Sequence, residues 1–345
     1  MKRRWLVLTD GYLRERDAKT AHGVIRYSTD EIAAVLDPAE AGRSLSEVAP
    51  ELGCDAPIVR SVKEALAHDP TSLLLGVATP GGWMPQHWRA WLLEAVDAGL
   101  EIANGLHTLL RDDDELVARA ERAGARLWDV RIPPDDLPLF SGKSLEVPQH
   151  IVATVGSDCA VGKMTVAVEL AVAAGRAGVS AEFVATGQTG VLIAGKGIAV
   201  DRVISDFVAG AAETLVCSAR PESEVLIVEG QGSLWHPAYS AVTLGLLHGS
   251  SPELLVLCHQ AGRDAIEEPP FTKLPPLPEM VRVYEEMAST VRPCRVACVA
   301  VNTAGLSEEQ ARSEMRSIED ATGLPAGDVW RGGAAGLWEA VSSAL

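Results

Sequence analysis

A glycine-rich segment near the middle of the chain has the residue types that bind phosphate groups. It follows the apolar run Ile151–Val155 and precedes a helical pattern that starts at Lys163. Glycines let backbone N–H groups close around phosphate oxygens, a helix N-terminus adds roughly half a positive charge, and a lysine reaches the terminal phosphates. We therefore predict a phosphate-binding loop (P-loop) that binds a cosubstrate through Gly156, Ser157, Asp158, Cys159, Ala160, Val161, Gly162 and Lys163.

Two features of this loop depart from the common P-loop pattern. Five residues separate Gly156 from Gly162, one more than is usual. Met164 then stands where a magnesium-ligating serine or threonine normally follows the lysine, and Thr165 comes one position later. We expect Met164 and Thr165 to contact the cosubstrate, with Thr165 as a candidate metal ligand.

A carboxylate and several glycines follow a second apolar run. Glu229 ends the run Val225–Val228 and opens the sequence Glu-Gly-Gln-Gly-Ser. A carboxylate at the end of a strand beside the P-loop strand is expected at a metal–phosphate site. We predict Glu229 as a metal ligand and Gln231 as a substrate contact; the alternative is a solvated surface loop.

Hydroxyl and amide side chains follow a third strand pattern, which ends near Ala185. They occur among glycines, which allow a ligand to approach the backbone closely. We predict Thr186, Gln188 and Thr189 as substrate contacts near the P-loop, the alternative being a mobile glycine loop without a ligand.

Short apolar runs alternate with helical patterns in both halves of the chain, which indicates parallel sheets covered by helices on both faces. A proline-rich, aperiodic stretch over residues 131–148 separates the halves. We predict an α/β protein with an N-terminal Rossmann-like domain (1–135), a linker (136–147) and a C-terminal P-loop NTPase-type doubly wound parallel-sheet domain (148–345). Ligand is expected at the carboxyl ends of the strands, near the domain junction.

Composition narrows the classes of function. The chain has 345 residues and a formal net charge of −17, a surface that repels nucleic acid. Its apolar runs are shorter than the ~20 residues that span a bilayer. The six cysteines are scattered, without zinc-type spacing. We expect a cytoplasmic protein with a small-molecule substrate, no nucleic-acid partner and no membrane segment.

The P-loop half resembles the dethiobiotin synthetases. Gly-Ser-Asp-Cys-Ala-Val-Gly-Lys is similar to their Gly-Thr-Asp-Thr-x-x-Gly-Lys loop, and Glu229-Gly-Gln-Gly to their Glu-Gly-x-Gly. The resemblance implies that Asn302, which follows a later strand, lies near the base of a bound nucleotide.

A closer resemblance covers nearly the whole chain. It is to a family long catalogued as a domain of unknown function, often labelled NAD-dependent epimerase/dehydratase, which includes the DgcN-type D-glutamate N-acetyltransferases. The label itself is not supported, because the first strand leads into Thr9-Asp-Gly-Tyr-Leu13 and not into Gly-x-Gly-x-x-Gly. The segments that carry the resemblance are Lys19–Tyr27, Gly76–Gly82, Gly105–His107, Asp129–Arg131, Gly156–Thr165, Thr186–Gly190, Asp201 with Asp206–Phe207, and Glu229–Ser233.

The resemblance implies transfer of an acetyl group from acetyl-CoA to the amine of a D-amino acid such as D-glutamate. Coenzyme A carries phosphates that a P-loop can hold, and acetylation needs a base that takes the ammonium proton. A substrate with two carboxylates needs cationic partners. The candidate bases are Asp206, Glu229, His22 and His107, and the candidate cations are Arg26, Arg131, Lys19 and Arg263.

Two other functions remain open from the sequence. In one, the P-loop holds ATP with Mg²⁺, and the protein is a carboxylate–amine ligase or a kinase. In the other, it is a nucleotide-sensing regulatory protein without a substrate pocket beside the phosphates. Met164 argues against a conventional Mg-ATP site and Glu229 argues for one. In each case we expect a homo-oligomer.

Overall fold

The structure is a computed structural model that describes residues 2–268 and 270–345. The chain forms two compact units. Unit 1 contains the residues up to Ile132 together with Gln188–Lys196, and unit 2 contains Pro133–Gly187 and Gly197–Leu345. The start of the predicted first domain, Met1, lies outside the described residues.

Strands and helices alternate over most of the described part of the chain. The strands are β1 (Arg4–Leu8), β2 (Glu31–Leu36), β3 (Ile58–Val59), β4 (Ser72–Leu75), β5 (Glu101–Asn104), β6 (Leu127–Asp129), β7 (His150–Gly156), β8 (Ala181–Val184), β9 (Val225–Val228), β10 (Leu254–Gln260), β11 (Arg295–Asn302) and β12 (Ala326–Gly327). The α-helices are α1 (Lys19–Tyr27), α2 (Leu45–Val48), α3 (Val62–Ala65), α4 (Trp88–Asp97), α5 (Asp114–Ala123), α6 (Lys163–Arg176), α7 (Gln188–Ala194), α8 (Val208–Cys217), α9 (Ser240–Ser250), α10 (Leu277–Ala288), α11 (Glu308–Thr322), α12 (Val329–Gly332) and α13 (Ala335–Ala344).

Unit 1 is built on a parallel sheet with the strand order β3-β2-β1-β4-β5-β6. The strand order reverses between β1 and β4, as in Rossmann-type sheets. A core that includes Leu6, Leu73, Trp88 and Leu92 packs α4 against the sheet. The side chain of Asp113 caps α5 by accepting the N–H of Leu116, which is the capping geometry that begins a helix.

Unit 2 is built on a second parallel sheet, with the order β12-β11-β10-β7-β9-β8. Strand β7 lies in the interior of this sheet and is buried on both faces, so it is apolar almost throughout. Val152 packs into the core on one face, and Ile151, Ala153 and Val155 pack into the core on the other. The predicted fold class, two parallel-sheet α/β domains, is confirmed.

The sequence pattern predicts a helix from about Ile204 to Cys217. The structure instead has a short turn of 3₁₀ helix over Ser205–Phe207, and α8 begins at Val208. The two-residue strands β3 and β12 were missed, because so short a run has no periodicity of its own.

Within the described residues, the helices are too short or too polar to cross a bilayer.

The proline-rich stretch that precedes β7 is fastened to unit 2. The carboxylate of Glu213, on α8, accepts hydrogen bonds from the N–H and the hydroxyl of Ser141 at 2.9 and 2.8 Å. Gly210 lies so close to the carbonyl oxygen of Pro138 that a Cβ there would be 1.7 Å away. The stretch therefore packs against α8.

Candidate functional site

The predicted P-loop connects β7 to α6. Gly162 has a φ of +106°, in the left-handed region that glycine adopts without strain. It is also the N-cap residue of α6, and without a side chain it cannot place a capping group over the first N–H groups of the helix. These N–H groups and the helix dipole therefore favour an anion at the start of α6.

Lys163 places a buried amino group in the loop. Its Nζ donates a hydrogen bond to the carbonyl oxygen of Asp158 at 2.8 Å. Burial lowers the pKa of the Lys163 ammonium, and the negative charges that Cys159, Asp158 and Glu229 can carry oppose that shift. A phosphate oxygen in place of the carbonyl would receive a stronger, charge-assisted hydrogen bond.

Neighbouring strands hold the first residues of the loop in place. The N–H of buried Ser157 donates to the carbonyl of Cys258 at 2.9 Å, and its hydroxyl shares a 2.9 Å hydrogen bond with Nδ1 of His259. The hydroxyl of Ser233 donates to the carbonyl of Ser157, also at 2.9 Å. Burial lowers the pKa of His259 to about 4, with the charge of Arg263 adding to the shift, so its ring is neutral at neutral pH.

The next loop residue, Asp158, is also an anchor. One oxygen of its buried carboxylate accepts a 2.6 Å hydrogen bond from the guanidinium of Arg263 and a 2.8 Å bond from the N–H of Glu267. The other oxygen accepts the N–H of Cys159 at 2.6 Å. Arg263, a candidate for binding substrate carboxylates, is therefore paired with a carboxylate of the protein itself.

The described residues contain one group of acidic, cysteine and histidine side chains close enough to hold a metal ion. It consists of Asp158, Cys159 and His236, whose donor atoms lie within 4.8 Å of one another. Both oxygens of Asp158 already accept hydrogen bonds, and Nδ1 of His236 accepts the N–H of Ala238 at 3.2 Å. The predicted ligand Thr165 is outside this group, half-buried in the first turn of α6.

Glu229 carries a buried carboxylate at the end of β9. Its Oε2 accepts the N–H groups of Thr186 and Gly187, each at 3.0 Å. Burial raises the pKa of Glu229 to about 7, although these N–H groups, Gln231 and the charge of Lys163 oppose the shift. The carboxyl group thus titrates near neutral pH beside the P-loop lysine.

Close packing explains why the residue after Glu229 is a glycine. A Cβ on Gly230 would lie 1.9 Å from the carbonyl oxygen of Thr154, in β7, and the N–H of Gly230 donates to the hydroxyl of Thr154 at 2.9 Å. Gln231, a predicted substrate contact, donates through Nε2 to the hydroxyl of Thr186 at 3.2 Å. The loops that follow β8 and β9 are therefore tied to each other and to β7.

The structure separates the residues of the segment after β8. Thr186 stays in unit 2, where its hydroxyl donates to the carbonyl of Glu229 at 2.6 Å. Gln188 and Thr189 instead begin helix α7, which belongs to unit 1, where the hydroxyl of Thr189 is 2.9 Å from that of Thr20. The alternative of a mobile glycine loop does not hold for these two residues, because they lie in a helix, and their contact with substrate stays a prediction.

Unit 1 contains the other predicted bases and cations apart from Asp206. Nε2 of His22 is hydrogen bonded to the carbonyl oxygen of Leu13 at 2.7 Å, and His107 is exposed. Arg131 is buried and donates to the carbonyl of Gly105 at 2.7 Å. The exposed guanidinium of Arg26 lies 5.3 Å from the ring centre of Tyr27, and Lys19 is exposed as the first residue of α1.

Two further predicted site residues lie in unit 2. Asp206 is exposed in the turn that precedes α8. Asn302 ends β11, and its side-chain oxygen accepts the N–H of Ala304 at 3.0 Å. Asn302 is therefore in the sheet that carries the P-loop, two strands away from β7.

Family comparison agrees with this architecture. Residues 138–338 match the model described as the P-loop domain of DUF1611, a domain of unknown function, and residues 38–133 match its Rossmann-like N-terminal domain. The chain belongs to the DUF1611 family. Membership in this family was predicted from the motifs and is confirmed.

Relatives of this DUF1611 protein include proteins named as enzymes. A D-glutamate N-acetyltransferase of Tritonibacter scottomollicae is 38% identical over 82% of this chain and 84% of its own length. A second protein of that name, from a Pseudoalteromonas species, is 37% identical over 79% of this chain and 82% of its own. Both relatives are acyltransferases by name, in agreement with the enzyme class predicted from the sequence.

A crystal structure of a DUF1611 protein from Anabaena variabilis has the same fold. It is 40% identical in sequence, has a TM-score of 0.93, and is matched over 99% of this chain and 100% of its own. The name of that protein assigns it no activity.

Sequence reasoning missed several residues that shape the P-loop of this DUF1611 protein. The hydroxyl of Tyr284 donates to the carbonyl of Gly156 at 2.7 Å, and His259 holds Ser157. His259 had one detectable signal, a polar residue near the end of a buried strand. Tyr284, in the middle of α10, had none, because the contact depends on packing between distant segments.

Proposed function

We propose that this protein is an acetyl-CoA-dependent N-acetyltransferase that acts on a D-amino acid such as D-glutamate, with the P-loop holding the phosphates of acetyl-CoA. The observation that carries the proposal is the P-loop of unit 2, in a chain whose relatives are named D-glutamate N-acetyltransferases. The buried amino group of Lys163 and the uncapped start of α6 both lie in this loop, where a bound anion would stabilise the charged form of the lysine.

The charge distribution supports this use of the loop. The chain has a net charge of −17, so an anionic cosubstrate needs a local region of positive potential. Lys163 and the start of α6 supply it, since the charge of Arg263 is balanced by Asp158. At a pKa of about 7, Glu229 is half-protonated at neutral pH and repels a phosphate less than an ordinary carboxylate would.

The proposed reaction is attack of a neutral amine on the thioester carbonyl. The ammonium group must first lose a proton, and the negative charge that develops on the carbonyl oxygen needs hydrogen-bond donors. His22, His107, Asp206 and Arg131 remain predictions for these roles and for binding the substrate carboxylates. The P-loop of unit 2, with its uncapped helix start and buried lysine, supports the cosubstrate part of this reaction.

Thermal unfolding with acetyl-CoA, CoA, Mg-ATP or NAD at equal concentrations tests the identity of the cosubstrate. A ligand at about 100 times its Kd should stabilise the folded protein by about 2.7 kcal/mol. We expect stabilisation by acetyl-CoA and CoA, and release of free CoA thiol when acetyl-CoA and D-glutamate are supplied together. Stabilisation by Mg-ATP alone would replace this proposal with the ligase or kinase function.

A lysine substitution tests the role of the P-loop. We expect Lys163→Ala to abolish stabilisation by acetyl-CoA while the unliganded protein stays folded by circular dichroism. Lys143→Ala, an exposed lysine of the same unit, is the control and should bind normally. Wild-type affinity of Lys163→Ala in calorimetry would remove the phosphate role of the loop.

A further inference from the structure

A tryptophan side chain lies directly against the P-loop. A Cβ on Gly162 would be 2.3 Å from Cη2 and 3.2 Å from Cζ2 of Trp330, so the indole packs on the backbone where α6 begins. Trp330 nevertheless remains 40% exposed. Part of a large aromatic surface is thus in contact with the phosphate loop, and part of it faces solvent.

Hydrogen bonds fix the turn that carries this indole. The N–H of Trp330 donates to Oδ1 of Asp328 at 2.8 Å, and the buried Oδ2 of Asp328 accepts the N–H of Thr303 at 3.1 Å and also its hydroxyl. Arg331 donates through Nε to the hydroxyl of Thr303 at 2.7 Å and through its terminal nitrogen to the carbonyl of Leu306. The turn after β12 is therefore clamped to the loop after β11.

An oriented amide precedes the clamped loop. The hydrogen bond from Ala304 to the side-chain oxygen of Asn302 directs the amide of Asn302, which is bonded through the chain to Thr303. The carboxyl end of β11 thus combines a fixed polar group with the loop that positions Trp330. Proteins bind purine rings with a flat aromatic side chain that stacks on the ring and with polar groups that contact its edge.

We propose that Trp330 is the platform on which the adenine ring of the bound cosubstrate stacks. The inference rests on the proposed function only in requiring a phosphate-bearing adenine ligand in the P-loop. Acetyl-CoA and ATP share that chemistry, because each has an adenosine linked to phosphates. Stacking also accounts for the exposure of an indole whose backbone is fixed by hydrogen bonds and whose ring packs against the start of α6.

Ligands with and without adenine test the proposal. Calorimetry would measure binding of acetyl-CoA and of acetyl-4′-phosphopantetheine, which lacks the adenosine, to wild type, Trp330→Ala and Trp330→Phe. Removing a stacked aromatic residue weakens binding by about 5- to 150-fold. We expect that loss for acetyl-CoA with Trp330→Ala, recovery of most of it with Trp330→Phe, and affinity for acetyl-4′-phosphopantetheine within about twofold of wild type.

An equal loss of affinity for both donors would overturn the proposal, because it would mean that Trp330 acts by supporting Gly162. A second pair of ligands, ATP and inorganic tripolyphosphate, separates the two sources of adenine. If wild type binds ATP but not acetyl-CoA, and Trp330→Ala loses affinity for ATP but not for tripolyphosphate, the stacking role is kept and acetyl-CoA is refuted as cosubstrate. Normal binding of acetyl-CoA by Trp330→Ala would refute stacking and leave the proposed function standing.

Discussion

The protonation state of Glu229 should control the affinity of the protein for its cosubstrate. Whether that affinity falls or rises with pH distinguishes acetyl-CoA binding without a metal ion from metal-dependent ATP binding. The pKa of Glu229 is raised from its ordinary value of 4.5 to about 7, chiefly by burial. In the absence of a bridging metal ion, phosphate binds best when this carboxyl group is neutral. Acetyl-CoA affinity should therefore be highest below pH 7 and fall as the pH rises through it.

The size of the effect follows from the pKa. If only the protonated form binds phosphate well, a pKa of about 7 gives an affinity about tenfold lower at pH 8 than at pH 6. Glu229→Gln keeps the shape of the side chain and an oxygen that can accept the N–H groups of Thr186 and Gly187, but it does not titrate. Its affinity should be nearly independent of pH, apart from the titration of the ligand phosphate.

Calorimetric titrations of acetyl-CoA at half-unit steps from pH 6 to pH 8.5 provide the assay, with exposed Glu222→Gln as the control. Wild type and Glu222→Gln should show the same decline with pH, and Glu229→Gln should not. Affinity that rises with pH and disappears in EDTA would refute the argument. That result would make Glu229 the ligand of a metal ion, as the ATP-dependent alternative requires.

The raised pKa of Glu229 also makes the stability of the folded protein depend on pH, and the direction of that dependence can be measured separately. Because the pKa of Glu229 is higher in the folded protein than in the unfolded chain, its stabilising contribution is complete below about pH 4.5 and is lost as the pH rises through about 7. At 1.36 kcal/mol per pKa unit, the loss is at most about 3 kcal/mol. The advantage of Glu229→Gln over wild type in denaturant unfolding should therefore grow between pH 5 and pH 8.

Two further predictions concern the packing around the P-loop. Arg263→Ala leaves the buried carboxylate of Asp158 without its cation and should cost about 3 kcal/mol in denaturant unfolding; a loss below 1 kcal/mol would show that backbone N–H groups alone satisfy Asp158. Gly230→Ala should cost several kcal/mol in the same assay, because its Cβ meets the Thr154 carbonyl. The control Gly175→Ala, in α6 with open space around it, should raise stability by about 1 kcal/mol, and equal effects of the two substitutions would contradict the close contact between Gly230 and Thr154.

Local sequence signals were sufficient for the P-loop and its flanking elements. An apolar run, two glycines and a lysine predicted a strand, a turn and a helix that starts at Lys163, and the observed helix covers Lys163–Arg176. These features depend on residues within about twenty positions of one another. Family membership was equally accessible, since it depends on the order of motifs along the chain.

The protonation and the placement of the site residues could not be predicted from local sequence signals. Glu229 was visible as a carboxylate at a strand end, but its pKa near 7 results from burial under several segments. The metal role predicted for it rested on its residue type and on its position at a strand end beside the P-loop strand. Gln188 and Thr189 looked like part of a loop beside the P-loop, yet they begin a helix that packs in unit 1.

The order of strands in the second sheet explains why some features of the site could be predicted from the sequence and others could not. Strand β10 pairs with β7 although about one hundred residues separate their equivalent positions, and this pairing brings His259 and Arg263 to Ser157 and Asp158. Trp330 reaches Gly162 from still farther along the chain. Residue types and short-range spacing thus determined which groups are available for phosphate chemistry. Only long-range pairing and burial decided which of them meet, which are neutralised, and which remain open to a ligand.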